Sequence, residues 1–125
     1  MLIWHKLRSK FSSDKGLYQS IKNIFGYYPG NIHLYKLALR HRSATTEIIN
    51  GVRLNNERLE YLGDAIISAV IADFLFKSFP YENEGFLTEM RSKIVSRASL
   101  NKLSMKLGLQ HLISAGAESS TKAKS

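Results

Sequence analysis

An all-α domain is the fold class that this sequence predicts, on three observations. Apolar residues recur at helical spacing through most of the chain, capping residues and glycines punctuate those runs, and strand-like alternation is nowhere sustained. The 125 residues suffice for one domain with a core of its own, although domains of this size are only marginally stable. A hydrophobic content of 44% excludes general disorder.

The elements follow in order. Ser13 or Asp14 caps a first helix that carries Leu17, Ile21 and Ile24 on one side and ends at Gly26. Tyr27-Tyr28-Pro29-Gly30 is a turn, and Asn31 caps a second helix with Leu34, Leu37 and Ala38. Residues 44 to 54 read as a polar loop around Gly51. A central helix is expected from Asn56 to Lys77, broken by the stretch from Pro80 to Gly85. Between Tyr61 and Phe76 it is apolar on nearly every side, and a helix that is hydrophobic all round is expected inside the protein. Two further helices run from Phe86 to Ser96 and from Ser99 to Leu107, the second closed by Gly108.

The chemistry of the chain is concentrated at the start of the central helix. At about 100° per residue, Glu57, Glu60 and Asp64 share an arc of roughly 60°. Acids crowded in this way repel one another unless protons, basic groups or metal ions compensate. Hard-oxygen clusters suit Mg²⁺, which takes one or two protein carboxylates and keeps several waters. Further along the helix the same sector is occupied by Ile67, Ile71 and Leu75, so the acids stand on a face that soon becomes core. Glu57 and Glu60 are also explained as first-turn acids that complement the helix dipole. Asp64, two turns in and directly after Gly63, is not.

The run Asn56-Glu57-Arg58-Leu59-Glu60-Tyr61-Leu62-Gly63-Asp64-Ala65 resembles the ribonuclease III signature NERLEFLGDA, with Tyr61 at the Phe position. Upstream, Ala38-Leu39-Arg40-His41-Arg42-Ser43 is similar to the family's AL-x-H-[RK]-S segment. Downstream, Phe79-Pro80 with Glu84-Gly85-Phe86-Leu87-Thr88 resembles its FP…EG-x-L-[ST] stretch. Met90-Arg91-Ser92-Lys93-Ile94-Val95 and Leu100-Asn101-Lys102-Leu103 resemble its next two helices. The resemblance implies a helical endonuclease domain that forms a homodimer and cleaves double-stranded RNA with Mg²⁺, or Mn²⁺ in its place, in the processing of rRNA or other RNAs. It implies Glu60 and Asp64 as metal-linked acids, and Glu57 and Glu84 as supporting acids near a dimer-formed cleavage centre. From the residues alone Glu84 reads as a solvated loop acid. His41 reads as a packing residue, with a catalytic base as the alternative.

The family's second acidic motif, D-x-x-EA-x-IGA, is not found after Gly108, and Glu118 is the last acid of the chain. The chain therefore reads as a ribonuclease III-type domain incomplete at its C-terminal side, with little activity alone. Residues 1–13 form a basic arm, 14–112 the partial domain and 113–125 a polar tail. The alternative reading is a non-catalytic module of the same fold that binds double-stranded RNA or serves dimerisation.

Composition agrees with a polyanionic partner. There are 18 Lys and Arg against 10 Asp and Glu, a formal charge of +8, and neutralising phosphates releases counterions. Arg91, Lys93, Arg97, Lys102 and Lys106 make the last two helices basic, either as a solvated face or as RNA-backbone contacts. The absence of cysteine excludes disulfides and thiolate metal sites and fits a cytoplasmic location. Asp64, Asp73 and Lys77 interrupt the longest apolar run, so no membrane span is expected.

Overall fold

The computed structural model describes residues 14–40 and 48–113. The chain divides by contact into two units, Met1–Asn56 with Leu107–Ser125, and Glu57–Lys106. The basic arm, His41, Glu118 and all of the polar tail but Ile113 lie outside the described residues.

In the first unit, helix α1 spans Lys15–Phe25 and α2 spans Ile32–Ala38. Asp14 precedes α1 without a side-chain capping bond, and its carboxylate accepts instead from Lys36 Nζ at 3.0 Å. Gly26 ends the helix at φ +82°, a left-handed conformation that costs a glycine little, and its N–H returns to the Lys22 carbonyl. Asn31 caps α2, its side chain accepting from the His33 N–H at 3.1 Å. The amphipathic faces meet in a small core of Tyr18, Ile21 and Ile32, flanked by Leu17, Tyr28 and Tyr35.

The expected loop around Gly51 is instead a minimal antiparallel hairpin, with β1 at Ile48–Ile49 and β2 at Val52–Arg53. Asn50 and Gly51 both take positive φ, 51° and 78°, as a two-residue hairpin turn of the primed type requires. The Asn-Gly pair between Ile48-Ile49 and Val52 is the available signal. The strands are too short for alternation to register.

The second unit consists of three helices: α3 at Glu57–Ser78, α4 at Glu84–Ile94 and α5 at Arg97–Leu107. Helix α4 starts two residues before the expected Phe86, because Asn83 is its cap and accepts from the Phe86 N–H at 2.9 Å. Glu84 therefore belongs to the first turn of a helix and not to a loop. Ser96 caps α5 in the same way, its hydroxyl accepting from the Ser99 N–H at 3.2 Å, which moves that start forward from the expected Ser99. The rings of Phe79 and Phe86 meet edge to face at 5.4 Å and fix the entry into α4. Among the described residues no helix is long and apolar enough to cross a membrane.

The expectation that α3 is buried all round is overturned. Leu75 is buried at 1% exposure and Ile67 and Ile71 are half-buried, so the sector that continues from the acids is core, as its sequence implies. The opposite stripe of Leu62, Ile66, Val70 and Phe74 is exposed, as are Tyr61 and Phe76. A helix that is apolar on every side needs neighbours on every side, and here it is packed on one.

This packing has measurable consequences. Leu75→Ala should cost about 2–5 kcal/mol in urea denaturation, while Val70→Ser on the open stripe should stay within about 0.5 kcal/mol. Equal losses at the two positions would show that the open stripe is covered in solution. Asn83→Ala should cost about 1 kcal/mol through loss of the α4 cap, read in the same experiment.

Candidate functional site

The site grows from the first two turns of α3. Glu57, Glu60 and Asp64 stand at i, i+3 and i+7, and helical geometry aligns them on one sector. Each like-charged pair one turn apart costs about 0.2–0.5 kcal/mol. The helix dipole returns about 0.3–1 kcal/mol per acid in the first turn. It offsets the cost at Glu57 and Glu60 and leaves Asp64, a turn further in, without that compensation.

All three acids line one pocket of about 940 Å³ that opens to solvent. Tyr61, Gly63 and Ile67 complete the α3 side, and Val95, Arg97, Leu100 and Asn101 supply the opposite wall. The half-buried Ile67, Val95 and Leu100 thus share the lining with the exposed Glu57, Glu60, Asp64 and Arg97. Gly63 leaves open space beside Asp64, since a Cβ at that position would meet no heavy atom within 4 Å.

Glu84 does not line this pocket. It sits in the first turn of α4, where its carboxylate accepts from Thr88 Oγ1 at 2.7 Å. Glu57, Glu60 and Asp64 are therefore brought together within one chain, and Glu84 is not brought to them. Among the described residues no group of three or more His, Cys, Asp or Glu side chains converges as a ready metal cage. What the pocket offers is a pair of carboxylates one turn apart, Glu60 and Asp64, with room for water. That donor set fits Mg²⁺, which is satisfied by one or two protein carboxylates and retains its waters.

The basic residues of α4 and α5 are sorted by the same geometry. Lys93 is committed to Glu89 at 2.6 Å, and this partner holds the Glu89 carboxyl below the usual carboxylate range. Arg91, Lys102 and Lys106 do not line the pocket, whereas Arg97 does. Asn101, one turn on from Arg97, had no distinct signal in the sequence. The i, i+4 spacing places the two on one face of α5, but which face meets the acids is a tertiary fact.

Comparison with known proteins bears on the same residues. The Ribonuclease III domain family model matches residues 57–125, beginning at the first acid of the pocket. Ribonuclease 3 of Bacteroides thetaiotaomicron is 47% identical over 116 residues, covering 93% of this chain and 37% of its own length. Ribonuclease 3 of Flavobacterium psychrophilum is 43% identical over 103 residues, covering 82% of this chain and 42% of its own length. The chain thus spans about two-fifths of the length of these curated relatives. Among solved structures, the nuclease domain of ribonuclease III from Campylobacter jejuni superposes with a TM-score of 0.62 at 32% identity, over 72% of this chain and 59% of that one. That structure is described as flexible in a region involved in dimer formation. Sequence, helical architecture and the helix that bears the acids agree, and the chain belongs to the ribonuclease III family.

Proposed function

We propose that this chain is the acid-bearing part of an endoribonuclease that cleaves double-stranded RNA by Mg²⁺-dependent phosphodiester hydrolysis. The observation that carries the reading is the pocket itself: three carboxylates of the family-matched helix facing a guanidinium, on a protein of net charge +8. Glu60 and Asp64 hold the divalent ion, with Glu57 as a supporting acid. When bound, Mg²⁺ supplies Lewis acidity toward water and toward the scissile phosphate. The carboxylates fix the position of that chemistry on a rigid helix, and the positive surface draws the RNA backbone toward it. Duplex RNA is recognised by A-form shape, through phosphates and 2′-hydroxyls, and not by base sequence. A two-fold dimer would set one site against each strand, and it would also bring Glu84 of a second copy to a cleavage centre that it does not reach within one chain. The processing of rRNA or other transcripts in the cytoplasm is the setting this reading implies.

A second reading has one observation in its favour. Since among the described residues no three acids come close enough to hold a metal ion together, the same fold could serve as a non-catalytic module for double-stranded RNA. Metal binding separates the two, because a module that only holds RNA has no use for an ion at Glu60 and Asp64.

The test is cleavage of a long double-stranded RNA with and without Mg²⁺, beside Asp64→Asn, together with Mn²⁺ binding followed by paramagnetic resonance. Metal-dependent cutting that falls at least about a hundredfold in the variant supports the catalytic reading. Where the chain cuts weakly, a loss of Mn²⁺ affinity of about tenfold or more in Asp64→Asn and Glu60→Gln supports it independently. Cutting that the variant leaves intact, or RNA binding with no metal binding in the parent, would overturn it.

A further inference from the structure

We propose that Arg97, assisted by Asn101, is the group that receives the RNA backbone phosphate at the acidic pocket, an inference that rests on the function proposed above. An array of three carboxylates repels a phosphodiester, so a site that admits one needs a positive group fixed within reach. Among the described residues Arg97 is the one basic residue that lines the pocket. It faces Glu57, Glu60 and Asp64 across the opening, and Asn101 stands one helical turn behind it on the same wall.

Two features separate this arrangement from simple charge balance. Where these helices balance charge they close the pair, as Lys77 does with Asp73 at 2.7 Å and Lys93 with Glu89 at 2.6 Å. Arg97 closes no ion pair with Glu60 or Asp64 among the described residues, although it shares their pocket. Its place in the helix points the same way. Arg97 is the first residue of α5, at the positive end of the helix dipole, where a cation is disfavoured. Helix stability therefore does not account for it, and a bound anion does, because the same dipole that opposes the arginine adds to its pull on a phosphate. A guanidinium presents a planar fork that matches two phosphate oxygens, and an amide at i+4 can donate to a third oxygen or to a 2′-hydroxyl. The two walls then divide the work: α3 holds the cation and α5 holds the anion.

The experiment measures binding of a fluorescent 30-base-pair RNA duplex, in the absence of divalent ions, across a series of KCl concentrations. Circular dichroism confirms that each variant is folded. Arg97→Ala should weaken binding about five- to tenfold and reduce the slope of log affinity against log salt by about 1. Arg97→Lys should restore the slope and recover only part of the affinity, and Asn101→Ala should weaken binding without changing the slope. Mn²⁺ affinity should be the same in Arg97→Ala as in the parent. Three results would overturn the inference while leaving the nuclease reading intact: an Arg97→Ala slope equal to that of the parent, the same slope loss in the off-pocket variant Lys102→Ala, or tenfold tighter Mn²⁺ binding in Arg97→Ala, which would make Arg97 a counter-ion of the acids. A parent chain that binds Mn²⁺ but no duplex would overturn both.

Discussion

One angular sector of α3 governs both halves of the second unit. At its start the sector carries Glu57, Glu60 and Asp64, and further along it carries Ile67, Ile71 and Leu75. Burying a leucine such as Leu75 is worth about 1.5–3 kcal/mol, so the apolar end fixes the rotation of the helix about its axis. That rotation decides where the acids point, so the three exposed carboxylates share one pocket. A turn of about 100° would expose Leu75 and move the carboxylates off the pocket at the same time. Packing and chemistry are thus coupled through a rigid element, which is the arrangement that holds charged groups in place when their mutual repulsion would spread them.

The opposite side of the same helix sets the limits of this unit. Leu62, Ile66, Val70 and Phe74 form a continuous exposed stripe, so apolar area that a helix packed on both sides would hide is left open. Such a stripe is far more apolar than an ordinary solvated helix face, which mixes charges among its apolar positions. The wall opposite the acids is correspondingly light: neither α4 nor α5 contains a fully buried residue. Stability is therefore concentrated at Leu75 and its neighbours, and the pocket lies at the less protected end of the helix.

The fold is legible in the sequence where a local rule decides the outcome. Gly26 and Gly108 end helices because positive φ suits glycine, and Asn31 caps α2 through its own side chain. The acidic sector was legible for the same reason, since helical periodicity alone aligns Glu57, Glu60 and Asp64. What was not legible depends on neighbours. The all-round apolarity of α3 says that it can be buried, but not how many partners surround it. The hairpin at Ile48–Arg53 was missed because two-residue strands leave no alternation, although Asn50-Gly51 carried its turn. Glu84 resembles a loop acid in sequence because Gly85 follows it, whereas the Asn83 cap draws it into the first turn of α4.

Arg97 shows why a basic residue with no acid one turn away cannot be assigned a partner from sequence. Five cations decorate the last two helices, and the sequence pairs Lys93 with Glu89 at i,i+4 but does not say what Arg97 faces. The difference is made by what each one faces. Glu89, one turn before Lys93, neutralises it locally, and such an exposed pair contributes little beyond that. Arg97 has no acid one turn away on its own helix and meets three of them across a pocket. A charge balanced within its own helix is spent, whereas a charge held opposite others with space between them is available to a third group. For a pocket whose acids call for a divalent cation, the group that completes the balance is an anion bridging the two walls, and a backbone phosphate is the anion that a chain of this charge would most readily attract.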